Sequence, residues 1–424
     1  MRRSTDAILT SHAGSLPRPD DLIDANHQRE LGKVEERAFQ KKLTDSVADV
    51  VRRQVAAGIT VPGDGEYGKS MGSKINYRAW WSYSFTRLGG LRIEDIDRDT
   101  LPVHRSSPGN TVLSTFADRR DRDRFKVAYS DPESGITTGP RLTTWPFAVE
   151  PVRYTGHAAI AADIANFKAA LAANGVSEGF MTSIGPASCA RVGNRYYKSD
   201  DEFVFACADA MREEYKAIID AGLVLQIDDP AIAENFDQIN PEPTAADYAK
   251  FTMPKIEALN HALKSLPRDR IRFHLCWGSW HGPHTTDIAM RDIVGLMLRI
   301  EAGAYSFEAG NVRHEHEWAV WQDTRLPDDR LILPGVVSHA TNVVEHPELV
   351  AERIVRFANV VGKENVIAST DCGLGGRIHP EIAWAKLEAL SQGARLATQQ
   401  LTRKGAKKAA KKKAPARTKA RKRR

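Results

Sequence analysis

Residues 271–280 read IRFHLCWGSW, with His274 and Cys276 two apart in an otherwise apolar run. On a strand, residues i and i+2 point to the same face, so an imidazole and a thiol can serve one point in space. Alone the pair is a weak signal, because buried cysteines mostly pack. It gains weight from Glu308 in AYSFEAGN and Cys372 in NVIASTDCG, each late in another apolar run. Together His274, Cys276, Glu308 and Cys372 offer one nitrogen, one oxygen and two sulfurs, a donor set for Zn2+, whose catalytic sites keep a position open for water or substrate. Two thiolates make the site soft, suited to binding a further sulfur rather than generating hydroxide.

The elements that must position these residues follow a repeat. Apolar runs at 6–15, 59–66, 179–186, 223–230, 271–279, 304–311, 330–338 and 365–373 are separated by helix-like segments. In 200–222, Phe203, Cys207, Met211, Tyr215 and Ile218 recur at spacings of four and three, and Gly222 follows as a C-cap. The runs are too apolar for a half-exposed antiparallel sheet. Eight such units predict an α/β fold, a (β/α)8 TIM barrel; a doubly wound open sheet is disfavoured because no Gly-rich phosphate turn follows the first strand. The strand ends carry His12 and Ser15, Asp64 and Glu66, Asp228 and Asp229, His274 and Cys276, Glu308, Ser338 and His339, and Asp371 and Cys372. That is the rim where barrels of this kind hold their active sites.

The catalytic barrel is expected over 1–402, with 67–150 as a long insertion after the second strand, lying over the mouth. Its Trp80, Trp81, Tyr83 and Phe85 are expected mainly to pack. The net charge of +6 belongs to the last 22 residues, which hold 13 Lys/Arg; without them the chain carries −7. This segment, 403–424, is Lys/Arg/Ala-rich and expected to be disordered. It is a solvated tail or a contact for nucleic acid or another polyanion. No stretch approaches the roughly 20 apolar residues of a membrane span, no secretory h-region follows Met1, and four scattered cysteines suit a reducing cytoplasm. Cys207 and Cys189 are assigned to structure, and His314 and His316 to a solvated surface.

Several short motifs, in order, resemble the cobalamin-independent methionine synthase family, in its C-terminal catalytic barrel. HAGSLPRP resembles its first-strand turn, DGEYGKS its Gly-Glu motif, and QIDDPAI its Ile-Asp-Glu-Pro motif. FHLC, SFEAG and STDCGLGGR resemble its three zinc segments. The resemblance spans about 6–400 and implies zinc on His274, Cys276, Glu308 and Cys372, with homocysteine held by Ser15, Glu66 and Asp228. GVVSHATN resembles the segment holding the family's proton-donating histidine, which implies that role for His339, offset by about one position.

There are departures. The family's full-length members have two barrels, whereas this chain has length for one. Val192 stands where those members place a pterin-stacking Trp, with Tyr196 and Tyr197 as the nearby substitutes. The expected partners are therefore a small-molecule thiol, homocysteine first, and a methyl or alkyl donor, of which a 5-methyltetrahydrofolate type is one. The alternatives are alkylation of another thiol such as coenzyme M by an epoxide, a uroporphyrinogen-decarboxylase-like decarboxylation, or a nucleic-acid-associated protein acting through its tail.

Overall fold

The computed structural model describes residues 1–71, 79–97, 100–136 and 142–413. The apolar runs become short buried strands: β1 (Leu9–Thr10), β4 (Phe180–Ile184), β6 (Val224–Asp228), β7 (Ile271–Leu275), β8 (Ala304–Phe307), β9 (Leu331–Val337) and β10 (Ile367–Thr370). Between β1 and β4 in the chain lie β2 (Leu88–Asp97) and β3 (Leu142–Tyr154), and β5 (Gly193–Asn194) follows β4. The first seven form one parallel sheet in the order β1-β10-β9-β8-β7-β6-β4.

The expected second strand, 59–66, is not one. Pro62 has no N–H to give a ladder, and the segment joins its neighbours piecemeal. Thr60 and Val61 N–H donate to the Thr10 carbonyl at 3.1 and 3.0 Å, and Phe180 N–H donates to Pro62 at 3.0 Å. It thus fills the gap between β1 and β4, and the chain is a (β/α)8 barrel in which one stave is irregular. The helix Asp200–Asp220 starts on Ser199, whose hydroxyl accepts from Glu202 N–H at 3.1 Å, and buries all five residues of its expected stripe.

The insertion folds as an antiparallel β2–β3 ribbon with β5 added to its edge. Residues 72–78, 98–99 and 137–141 of the expected insertion lie outside the described residues. Its aromatics pack: Trp81 meets Phe85, Phe116 and Trp145 at ring distances of 4.8–5.8 Å. It also ties down the loops at the strand ends. Trp81 Nε1 donates to Ser188 after β4 (2.9 Å), Arg119 pairs with Glu234 after β6, and Thr285 N–H after β7 donates to Asp121 (2.8 Å). The last helix, Pro380–Lys413, runs on into the basic segment. Ala and Lys are strong helix formers and extend the helix already begun. Residues 414–424 lie outside the described residues. Among the described residues no helix is long and apolar enough to cross a membrane.

Candidate active site

Parallel pairing sets the site. In the register of β6 and β7, Asp228 sits opposite His274, so both project from the same rim. His274, Cys276 and Cys372 come together, all buried, with ligating atoms within 4.8 Å of one another. His274 Nδ1 meets Ser306 Oγ at 3.0 Å, while Nε2 is buried with no hydrogen-bond partner among the described residues. The sulfurs of Cys276 and Cys372 are 3.7 Å apart, both free. The hydrogen bond between them pushes the Cys276 thiol up and draws Cys372 down toward the thiolate. Ser279 Oγ lies 2.9 Å from Cys372 Sγ and 3.3 Å from Cys276 Sγ.

Glu308 stands apart from this trio. Its ligating atom groups with those of His339 and Asp371. Its Oε1 accepts from Trp277 N–H at 3.0 Å, next to Cys276, and its Oε2 accepts from Asn311 Nδ2 at 2.8 Å. Burial pushes Glu308 up to about 7. Asp371 accepts from Ala309 and Gly310 N–H at 2.8 and 2.7 Å and so locks the turn that presents Glu308. His339 is buried, its Nδ1 has no partner among the described residues, and burial pushes it down to about 3.

The residues that the family resemblance links to homocysteine converge on a second patch of the same mouth. Ser15 Oγ lies 3.4 Å from the Gly375 carbonyl, and the Ser15 carbonyl accepts from Leu374 and Gly375 N–H, both at 2.9 Å. Glu66 takes a left-handed conformation (φ 63°). Its Oε1 accepts from Thr182 Oγ1 at 2.8 Å and lies 3.6 Å from Lys69 Nζ, while Oε2 is buried without a partner among the described residues. Gly14 permits this approach. It has φ 128°, and a Cβ there would lie 2.6 Å from Glu66 Oε1. Asp228 Oδ1 accepts from Gln226 Nε2 at 2.6 Å, and Gln226 Oε1 in turn accepts from Arg272 Nε at 2.6 Å. Burial pushes Asp228 up to about 7, and the charge of Glu66 adds to that.

Other rim residues serve structure. His12 bonds Gln54 at 2.8 Å and is pushed by burial down to about 3. Asp64 accepts from Glu66 N–H, Ser338 Oγ accepts from Ala340 N–H, and Asp229 holds Ala187 and Ser188 N–H at the turn after β4. Cys189 and Cys207 are in the core. Tyr197 is committed to packing, accepting from Val152 N–H and stacking on Phe203, whereas Tyr196 is half exposed. The surface expected for His314 is wrong. It is buried against Trp277, with Nδ1 2.8 Å from Glu317 and Nε2 3.2 Å from Asp287, because two carboxylates satisfy both nitrogens. His316 is exposed. Sequence reasoning missed Ser279, Asn311 and Lys69; only Ser279 had a local signal, three residues beyond Cys276.

A family model described as the catalytic domain of cobalamin-independent synthase matches residues 154–395, more than half of the chain. The chain belongs to this family. A methionine synthase from Saccharolobus solfataricus is 24% identical to this family member over 402 residues, covering 94% of this chain and 97% of its own. One from Thermococcus kodakarensis is 24% identical over 412 residues, covering 94% and 96%. Among solved structures, a B12-independent methionine synthase from Shewanella sp. W3-18-1, in complex with selenomethionine, matches with a TM-score of 0.68 at 18% identity, over 94% of this chain and 99% of that one. That likeness extends the shared fold beyond the matched segment to nearly the whole of this family member.

The trio fits a metal. Zinc–sulfur bonds of about 2.3 Å in a tetrahedral site put two sulfurs about 3.8 Å apart, and this pair is at 3.7 Å. A disulfide would require about 2.05 Å. His274 Nε2, buried and without a hydrogen-bond partner among the described residues, would supply the nitrogen a metal takes.

Proposed function

We propose that this enzyme transfers a methyl group to the thiol of homocysteine, giving methionine, with Zn2+ as its metal. The observation that carries the reading is the buried trio of His274 Nε2 and two sulfurs at metal spacing, next to a patch bearing Glu66 and Asp228. Zinc, when bound, deprotonates a coordinated thiol and so supplies a sulfur nucleophile at neutral pH. His274, Cys276 and Cys372 would hold it, and the family resemblance would add Glu308 as the oxygen ligand.

The remaining work falls to the chain's own groups. Glu66 Oε2 and the free oxygen of Asp228 take the ammonium group of the amino acid through charge-assisted hydrogen bonds. Ser15 and the backbone beside it take the carboxylate. Two anchored ends leave the sulfur one arc to sweep, which aims it at the metal trio and saves orientational entropy. The family resemblance gives His339 the proton step: its neutral ring would pass the proton lost by the acceptor thiol on to the donor's leaving group as the methyl departs.

The reading is tested with purified zinc-loaded protein, homocysteine and a panel of methyl donors, with methionine as the measured product. Cys276→Ser and Cys372→Ser should lose metal and methionine formation together. Full turnover by metal-free protein overturns the reading.

A further inference from the structure

The turn after β7 does something the ligand set does not require. Ser279 is buried, and its hydroxyl bridges both sulfurs, at 2.9 Å from Cys372 and 3.3 Å from Cys276. A hydroxyl has a single proton to donate. With both cysteines as free thiols, either partner could be the donor. Once a metal holds both as thiolates, neither sulfur has a proton left, and the hydroxyl must donate. The shorter contact selects Cys372.

The surrounding structure fixes that hydroxyl from three sides. Trp277 is held by its N–H on Glu308 (3.0 Å) and its ring N–H on the Ile288 carbonyl (2.7 Å). Trp280 donates its ring N–H to Tyr129 of the insertion at 2.7 Å, and the Arg119 guanidinium lies 4.4 Å over its ring. Between them Gly278 has φ 87°, and a Cβ there would fall 2.4 Å from Trp280 Cζ3 and 3.0 Å from Glu234 Oε1. The bend that turns Ser279 back onto the sulfurs is therefore open to glycine alone, and the insertion braces it.

We propose that Ser279 is a positioning residue of the thiolate pair: its hydroxyl donates to Cys372 Sγ, draws charge from that sulfur and fixes its direction toward the metal. Less charge given by Cys372 leaves the metal more electron-poor and so better able to hold the acceptor thiol as thiolate. The inference rests on the zinc reading above, and its test separates the two.

Wild-type protein and the variants Ser279→Ala and Ser279→Thr are loaded with zinc and challenged with a chromophoric chelator, then loaded with Co2+ for absorption spectra. Ser279→Ala should hold zinc on the order of 10- to 100-fold more weakly against the chelator, the usual scale for losing a hydrogen-bond partner of a metal ligand. Its sulfur-to-cobalt charge-transfer band should move to lower energy, because electrons on an unbonded thiolate are easier to remove. Ser279→Thr keeps the hydroxyl and should restore the band. A Ser279→Ala protein with the wild-type spectrum overturns the proposal, whatever its zinc affinity, since a merely structural role would leave the band in place. Wild-type protein that takes up no metal overturns the zinc reading instead.

Discussion

Asp228 and His274 face each other across the parallel pairing of β6 and β7, so a buried carboxyl and a buried imidazole share one rim. The pairing explains how a small amino acid can touch both: adjacent strands are about 4.8 Å apart. It also makes ligand binding depend on pH. Burial holds the Asp228 carboxyl up at about 7, so at pH 6 most of it is protonated and cannot pair with a cation. Methionine, the thiol-free product, should bind progressively more weakly as pH falls from 8 to 6. Asp228→Asn should bind it about 10- to 100-fold more weakly at pH 8, the equivalent of about 1.5–3 kcal/mol for a hydrogen bond to a charged group, with the pH dependence flattened. Titration calorimetry at both pH values checks this.

Gly14→Ala should damage the same patch from the other side. The new Cβ would stand 2.6 Å from Glu66 Oε1 and 2.8 Å from Thr182 Cγ2, at a φ of 128° that side chains avoid. Strain of that kind costs about 1–3 kcal/mol. Denaturant unfolding should show that loss, and KM for homocysteine should rise at least tenfold while bound zinc stays at the wild-type level. Unchanged KM would remove Glu66 from the acceptor site.

How far the sequence carried this reading differs by residue. The barrel was legible because apolar runs and helical stripes alternate, and the buried cluster of His274, Cys276 and Cys372 because all three fall at strand ends. The irregular stave at 59–66 was not, since Pro62 breaks a ladder only in the context of its neighbours β1 and β4. His314 was misjudged for a related reason. Its local sequence is charged, but Asp287, which satisfies Nε2, is 27 residues earlier on another loop. Glu308 was legible as a metal-capable group at a strand end, while its hold on Trp277 and Asn311 depends on how two loops fold over it.

The brace that the insertion places on the mouth is ionic. Glu234 is buried and pairs with both Arg119 and Arg191, and Arg191 also stacks on Phe116 at 4.1 Å. Burial would push the Glu234 carboxyl up, but the two guanidinium groups outweigh it and hold it down at about 2. Glu234→Gln leaves two buried cations short of their anion. Breaking a buried pair this way costs about 3–5 kcal/mol, so a clear drop in Tm is expected. Substituting all three with apolar residues removes both guanidinium charges but takes Arg119 away from the buried Asp237, 3.5 Å from it, so only part of the loss should be recovered.

A second buried charge system lies behind Trp277 and makes stability fall in alkali. Asp287 Oδ2 bridges His284 Nδ1 at 3.0 Å and His314 Nε2 at 3.2 Å, and Glu317 receives the other nitrogen of His314. Burial works against both imidazolium ions. The charge of Asp287 outweighs it at His284, which rises to about 9, and hydrogen bonds to Asp287 and Glu317 do so at His314, which rises to about 10. Both values exceed the unfolded one near 6.5, so above that pH the folded state holds protons that the unfolded chain has released. Stability from this source is therefore complete below about pH 6.5 and is lost as pH climbs through 9 and 10. Asp287→Asn removes the shared anion, the largest of the groups raising each histidine. The Tm difference between wild type and Asp287→Asn should be largest near pH 6.5 and should shrink steadily to pH 10. A difference that stays constant over that range would mean that Asp287 stabilises the fold through hydrogen bonding alone, with both histidines neutral.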